Sequence, residues 1–150
     1  ARISNEEEIT NSAFLRTRIE FIDSFFEKDE VSGIWITFPD PQEKKRRRKK
    51  RLTSAGFLNR YRRIVKDGGV VRLKTDNDIL YHYTRELALY NSLEILEDTP
   101  DLYSDCHSGP LVEIQTFYEK EYIDQGLSIK YLSFRLPAKD EIKELPDDEE

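Results

Sequence analysis

The stretch WITFPDPQEKKRRRKKR, residues 35–51, decides what kind of fold this chain can have. The apolar, β-forming run at 33–38 stops abruptly at Pro-Asp-Pro (39–41), and eight consecutive basic residues follow at 44–51. In open α/β sheets, ligands bind beyond the carboxyl ends of the strands, where loops vary while the strands hold them rigidly. The two prolines restrict the backbone of this turn and leave Asp40 little orientational freedom. The pattern therefore makes Asp40 a candidate site residue.

The basic run has two interpretations. Pro-Asp-Pro is an ordinary way to end a strand, and a charged run is often only a solvated loop. Eight adjacent like charges repel one another, however, and such a run is typical of a surface that binds a polyanion and releases its condensed counterions. The adjacency of the turn and the run favours nucleic acid as the partner.

Charge is distributed unevenly over the 150 residues. Because the net charge is −6 and the basic run contributes +8, the remainder of the chain carries −14. An acidic protein with one concentrated basic strip is typical of localised contact with a phosphate backbone. The last twelve residues hold seven acids. This composition predicts one domain at 1–137 and an acidic, disordered tail at 138–150.

Two further features indicate the compartment. The single cysteine, Cys106, cannot form an internal disulfide and fits a reducing environment. No apolar stretch approaches the roughly 20 residues needed to span a bilayer, and no secretory signal opens the chain. The sequence predicts a soluble, cytoplasmic protein without membrane contact.

Strands and helices alternate in the hydrophobic pattern. The predicted strands are 12–17, 33–38, 70–74, 93–96 and 128–134. The predicted helices are 18–28, one that begins after Thr53 or Ser54 and ends at Gly68-Gly69, and 79–90. The unbroken apolar character of 33–38 favours a strand buried on both faces. This alternation predicts an α/β fold with a mostly parallel sheet and helices on both faces.

A second polar corner, Thr-Asp-Asn at 75–77, ends the strand at 70–74. Neighbouring parallel strands bring their carboxyl ends to one rim of a sheet, so we expect Asp40 and Asp76 on the same rim. Asp76 could equally cap the helix at 79–90, because aspartate is a common N-cap residue.

Three separated motifs, in this order, resemble those of the bacterial tRNA (guanine-N7)-methyltransferases. They are FPDP with its basic run (38–51), KTDN (74–77), and TFYE (116–119) followed by a glycine turn and the strand around 132–134. The resemblance covers residues 11–136. It implies a Rossmann-like class I methyltransferase fold, S-adenosylmethionine as the methyl donor, and tRNA as the partner, with N7 of a guanine in the variable loop as the methylated atom.

The resemblance also implies roles for individual residues. Asp40 becomes the catalytic residue and lies at the cofactor. The guanine pocket is implied for Lys44, Asp76, Thr116, Phe117, Tyr118 and Glu119. Contact with RNA is implied for Arg46, Arg47, Arg48, Lys49, Lys50 and Arg51.

Some positions depart from the family pattern. Gln42 stands where an aromatic residue is usual, and Arg47 or Arg48 stands where a histidine is usual. The six glycines, at positions 33, 56, 68, 69, 109 and 126, form no glycine-rich loop of the kind that binds a nucleotide cofactor. The sequence therefore corresponds to the later part of the domain, without its first strands, and we expect these residues alone to bind the cofactor weakly.

Ordinary structural roles compete with several assignments. Thr116 and Glu119 have the spacing of a helix capping box. His82 and His107 fit surface or packing positions. Cys106 and His107 are too few for a structural zinc, which needs four ligands, so we expect no metal site.

The chemistry that the resemblance implies needs little from the protein. N7 of guanine has a free lone pair, so no general base is required, and methyl transfer leaves a positive charge on the purine that the Asp40 carboxylate can stabilise. Two alternatives differ in class: a catalytically silent RNA-binding module, and an adenine amino-methyltransferase, whose motif has a second proline and an aromatic residue that this turn lacks. Whether the protein is a monomer or a homodimer stays open.

Overall fold

The computed structural model describes residues 9–106 and 108–146, so the predictions for His107 and for 147–150 lie outside the described residues. The strands are β1 (Val31–Thr37), β2 (Val65–Thr75), β3 (Ile95–Thr99) and β4 (Lys130–Leu136). The α-helices are α1 (Ala55–Tyr61), α2 (Asp78–Tyr90), α3 (Leu102–Asp105), α4 (Pro110–Glu113) and α5 (Phe117–Asp124). Two 3-10 helices span Ile19–Ser24 and Lys45–Lys50; the second is called the basic helix below.

The four strands form one sheet in the order β1-β2-β4-β3. β1 and β2 are parallel, and β4 runs antiparallel to both β2 and β3. It follows that β1, β2 and β3 share one direction and that β4 alone is reversed. The predicted α/β fold with a mostly parallel sheet is confirmed, and the reversal of the last strand is an addition to it.

The main core lies between one face of the sheet and the helices α1 and α2. α2 buries Leu80 and Leu87 completely, and these side chains belong to the same core cluster as Val71 and Leu73 of β2. Burying a side chain of this size stabilises the fold by roughly 1.5–3 kcal/mol relative to leaving it exposed. The helical spacing of the apolar residues in 79–90 thus has the expected cause, and the predicted helix there is confirmed.

A smaller apolar cluster covers the sheet near the carboxyl ends of β1 and β2. Leu102, Ile129 and Tyr131 are its buried members. Phe38, which directly follows β1, packs on Tyr122 of α5 with ring centroids 5.6 Å apart. This cluster holds α3 and α5 beside the end of β1.

Two predictions near the start of the chain are wrong. Residues 12–17 form no strand and are exposed, and only Ile19–Ser24 of the predicted helix 18–28 is helical, as a 3-10 helix. β1 is not buried on both faces, because it is an outer strand of the four-stranded sheet: Trp35 is 51% exposed.

The glycine pair at 68–69 does not end a helix. α1 ends at Tyr61, and β2 has already begun at Val65. The pairing of β1 with β2 shifts register across this stretch, and Gly68 adopts a φ of +71°, so the pair belongs to an irregularity within the strand. The predicted strand at 93–96 begins two residues too early, since β3 spans Ile95–Thr99.

The predicted disordered tail is wrong for residues 138–146. Ile142 is only 3% exposed and belongs to the main core. Asn59 binds the backbone of Ile142 through both groups of its amide, at 2.7 and 2.9 Å. Asn91 binds Lys143 in the same way, at 2.8 and 2.7 Å. One apolar side chain and two asparagines thus fix this segment against α1 and α2. Within the described ranges, no helix has the length and apolar character to cross a membrane.

Candidate active site

The turn that carries Asp40 is strained and solvent-exposed. Phe38 and Gln42, on either side of Asp40, have φ angles of +49° and +47°. Non-glycine residues in this left-handed region cost on the order of 1–3 kcal/mol each and cluster at functional sites. The Gln42 amide donates to Asp40 Oδ1 at 3.0 Å, and the Phe38 amide donates to the Lys74 carbonyl at 2.9 Å. The Asp40 carboxylate is therefore presented to solvent from a fixed backbone.

Asp76 lies on the same rim of the sheet. Thr37 pairs with Lys74 at the end of the parallel strands β1 and β2, so the two aspartates follow adjacent strand ends, as predicted. The α2 N-cap is Asn77, whose Oδ1 accepts from the Leu80 amide at 2.9 Å. The alternative that Asp76 caps this helix is therefore wrong. The side chain of Asp76 is half-buried and lies at the rim.

Lys130, which no sequence motif singles out, holds the backbone at Asp76. Its ammonium group donates to the Asp76 carbonyl at 2.9 Å and pairs with Asp78 at 3.1 Å. Lys130 is 6% exposed, which makes it a fixed support. The Asp76 carboxylate, in turn, raises the pKa of the Tyr122 hydroxyl above its usual value.

Glu119 differs from the two rim aspartates because its side chain is completely buried. Oε1 accepts from the Lys74 ammonium group and from the Tyr103 hydroxyl, both at 2.7 Å. Oε2 accepts from the Thr116 amide at 3.3 Å, and Thr116 Oγ1 accepts from the Glu119 amide at 3.1 Å. The capping box is present, and burial together with the bond to Glu119 raises the pKa of Tyr103.

The two residues between Thr116 and Glu119 point the opposite way. Phe117 is 71% exposed and Tyr118 is 59% exposed, with ring centroids 5.8 Å apart in an edge-to-face arrangement. Two exposed aromatic rings at the start of α5 give surfaces on which a nucleic acid base can stack. Lys44 is also exposed and precedes the basic helix.

The basic run forms a 3-10 helix where a loop was expected. Three residues per turn place every third side chain in line, so Lys45, Arg48 and Arg51 share one side. Arg48 and Arg51 of this side face the protein, whereas Lys45 is exposed. The Arg48 guanidinium donates to the carbonyls of Leu145, at 2.7 Å, and Pro146, at 3.3 Å. The other two columns are exposed and comprise Arg46, Arg47, Lys49 and Lys50.

Arg51 is only 4% exposed, and its guanidinium donates to backbone carbonyls of residues 41–43. This burial and these bonds to the turn disagree with the predicted RNA contact of Arg51 and give the side chain a structural role.

Three arginines of the α1 region also have structural roles. Arg60 and Arg63 pair with Asp23 at 3.1 and 2.8 Å, and Arg62 binds the carbonyls of Pro137 and Ala138. These bonds tie the α1 region to the 3-10 helix at Ile19–Ser24 and to the segment that follows β4.

The rim offers one wall of a cofactor site. Asp40 supplies an exposed carboxylate, but none of the six glycines lies in a turn that follows a strand and opens a helix, the arrangement that lets a nucleotide approach the backbone. The residues present therefore do not by themselves fit a whole S-adenosylmethionine. Among residues 9–106 and 108–146, no three His, Cys, Asp or Glu side chains cluster closely enough to hold a metal ion.

Known proteins similar to this chain agree on one family. The sequence model of the methyltransferase family Methyltransf_4 matches residues 1–132. A tRNA (guanine-N(7)-)-methyltransferase of Porphyromonas gingivalis is 47% identical over 141 residues, which are 93% of this chain and 57% of the relative. The enzyme of that name from Bacteroides fragilis is 47% identical over 134 residues, covering 89% of this chain and 52% of the relative. That of Christiangramia forsetii is 44% identical over 137 residues, covering 91% and 61%.

The chain thus spans about half to three fifths of the length of these curated relatives. The family match, by contrast, extends over most of the chain and includes both strand ends of the rim. This chain belongs to the Methyltransf_4 family of methyltransferases.

Proposed function

We propose that the protein transfers a methyl group from S-adenosylmethionine to N7 of a guanine in the variable loop of tRNA. One observation carries the proposal beyond the family: an exposed carboxylate on a strained turn, Asp40, is followed five residues later by a helix with five exposed basic side chains. The turn suits chemistry on a base, and the helix suits the phosphates that flank it.

Asp40 has the properties that this reaction requires. N7 carries a free lone pair, so the protein need not remove a proton before transfer. S-adenosylmethionine supplies an electrophilic methyl group on a sulfonium. As the purine becomes positively charged, a fixed carboxylate nearby is worth more in the transition state than in the ground state. Because Asp40 is held by the backbone and faces solvent, it can approach a base without prior rearrangement.

Recognition of guanine is assigned to the rest of the rim and to α5. Asp76 accepts hydrogen bonds from guanine N1–H and its amino group, which adenine does not offer in that arrangement. Phe117 and Tyr118 stack on the target base or its neighbour. Thr116 and Glu119 act beneath them, since the capping box and the bond to Lys74 fix the start of α5.

The basic helix binds the RNA backbone. Arg46, Arg47, Lys49 and Lys50 are exposed and adjacent to the turn, and Lys44 lies between the turn and this helix. A base inside folded RNA has to leave its stack before N7 can be reached. Phosphate contacts at the basic helix hold the backbone while the base enters the rim.

The proposal is tested with the full-length protein, tRNA transcripts and S-adenosylmethionine labelled in the methyl group. We expect label in tRNA, recovered as 7-methylguanosine after complete nuclease digestion. A transcript whose variable-loop guanine is replaced by adenine is the matched control and should accept no label. Label on another atom, or equal labelling of the control, would contradict the proposed reaction.

The same assay decides the alternative of a catalytically silent RNA-binding module. The motive for that alternative is the basic helix together with the lack of a glycine-rich turn among the six glycines, but the names of the similar proteins do not favour it. Tight, salt-sensitive tRNA binding by the full-length protein without any methyl transfer would establish the module and remove the enzyme.

A further inference from the structure

Arg51 lies directly beneath the backbone that follows Asp40. Its Nε donates to the carbonyls of Pro41 and Gln42, at 3.1 and 3.3 Å. One terminal nitrogen donates to the carbonyls of Gln42 and Glu43, at 3.2 and 3.4 Å. One side chain thus binds three consecutive carbonyls of the turn.

The Arg51 guanidinium also lies against Tyr83 of α2. The central carbon of the guanidinium is 4.4 Å from the Tyr83 ring centroid, and the Tyr83 hydroxyl donates to Glu144 Oε1 at 2.7 Å. Burial lowers the pKa of Arg51 from its usual value, while Tyr83 and Glu144 oppose that shift. An arginine in such a place keeps its charge, so a cation is fixed between the turn and the helix.

The turn needs such a support. Phe38 and Gln42 persist in left-handed conformations only if their surroundings determine them. Asp40 accepts a hydrogen bond from Gln42, so the position of its carboxylate depends on the backbone that Arg51 binds. Pro41 has no amide hydrogen and leaves its carbonyl as its only backbone hydrogen-bonding group.

We infer that Arg51 is a positioning residue for Asp40. Within the proposed methyl transfer, on which this inference rests, Arg51 holds the turn so that the carboxylate stands where charge develops on the purine. The neighbouring exposed basic residues contact RNA, whereas Arg51 acts only through the backbone of residues 41–43.

Lysine cannot replace arginine in this role. The planar guanidinium presents several N–H donors in a rigid fork and stacks flat on an aromatic ring, while an ammonium group is a strongly hydrated point charge. At a phosphate contact, by contrast, lysine is an adequate substitute for arginine. The variant Arg51→Lys therefore separates the two roles.

The experiment uses the full-length protein and three readouts. They are the methyl-transfer rate at saturating tRNA, the salt dependence of tRNA binding, and hydrogen exchange of the backbone amide of Gln42. For Arg51→Lys we expect the rate to fall by about 10- to 100-fold, since displacement of a reacting group by about 1 Å has effects of this size. We expect an unchanged salt slope and faster exchange at Gln42.

Lys50→Ala, one position away and exposed, is the matched control. It should weaken tRNA binding and lower the log–log salt slope by roughly 0.7 without changing exchange at Gln42. If Arg51→Lys leaves both the methyl-transfer rate and the exchange at Gln42 unchanged, Arg51 does not hold the turn and the inference is overturned.

Two further outcomes remain decisive. If the wild-type protein transfers no methyl group, the proposed function fails, but exchange at Gln42 still shows whether Arg51 holds the turn. If Arg51→Lys does not fold, Tyr83→Leu removes the aromatic face and leaves Arg51 in place. That variant should also speed exchange at Gln42, and unchanged exchange would contradict the inference.

Discussion

Asp40 and Glu119 are two carboxylates with opposite surroundings. Asp40 is exposed, stands in a strained turn, and accepts a hydrogen bond from the Gln42 amide. Glu119 is completely buried and accepts bonds from Lys74, Tyr103 and its own capping box. The resemblance assigns both residues to one site, whereas the structure shows that their surroundings differ.

Only a carboxylate whose charge is not already balanced by the protein can respond to a substrate. A buried carboxylate that is fully paired has its charge balanced before any ligand arrives, so it serves the scaffold. An exposed carboxylate on a rigid backbone has charge to offer to a base that becomes cationic. Glu119 fixes the helix start from which Phe117 and Tyr118 project.

The largest expected effect comes from breaking the buried pair. Glu119→Gln keeps the shape of the side chain but leaves the Lys74 charge uncompensated in the core, where Lys74 has a side chain only 4% exposed. Loss of one partner from such a pair costs about 3–5 kcal/mol. Urea unfolding of the full-length protein should show a loss of this size in the free energy of unfolding.

The control for that measurement is Glu121→Gln, an exposed glutamate on the same helix. Its effect should stay within about 0.5 kcal/mol. A loss below about 1 kcal/mol for Glu119→Gln would mean that the pair is not an essential part of the scaffold.

A smaller effect sharpens the same contrast within the basic helix. Lys49 and Lys50 are exposed, whereas Arg48 binds the carbonyls of the tail. The double change of Lys49 and Lys50 to alanine should weaken tRNA binding and lower the log–log salt slope by roughly 0.7 for each lost phosphate contact. Filter-binding measurements of tRNA affinity at salt concentrations from about 50 to about 200 mM give this slope.

Lys66→Ala serves as its control, because Lys66 is an exposed lysine at the start of β2, far along the strand from the rim. An unchanged slope in the double variant would show that the basic helix is only a solvated surface.

The rim could be predicted from sequence because it depends on local signals. An apolar run that ends at Pro-Asp-Pro and another that ends at Thr-Asp-Asn define two strand ends, and parallel pairing of β1 and β2 joins them. The placement of Asp40 and Asp76 therefore follows from two short patterns and one rule of sheet topology.

Long-range partners could not be predicted in this way. Glu119 meets Lys74 across 45 positions of the chain, and the capping-box spacing alone does not indicate burial. Ile142 lies in an acidic stretch whose composition predicts disorder. In the structure, Asn59 of α1 binds its backbone, and its side chain belongs to the same core cluster as Leu58. Paired hydrogen bonds from an asparagine side chain to the backbone of a distant residue leave no signal in the hydrophobic pattern of the sequence.

Arg51 shows a third reason. It is one of eight consecutive basic residues, and nothing in its identity distinguishes it from Arg46 or Arg47. The available signal was the three-residue period of a 3-10 helix, which places Lys45, Arg48 and Arg51 on one side. That period becomes visible only once the segment is known to be helical.

The claim that Asp40 stabilises charge in the transition state is tested most directly by Asp40→Asn in the full-length protein. Asparagine keeps the shape and the oxygen that accepts from the Gln42 amide, and removes only the charge. We expect single-turnover methyl transfer at saturating tRNA to slow by about 100-fold or more, with tRNA affinity nearly unchanged because the phosphates bind at the basic helix. Near-normal transfer combined with lost tRNA binding would contradict this account and make Asp40 a structural residue of the turn.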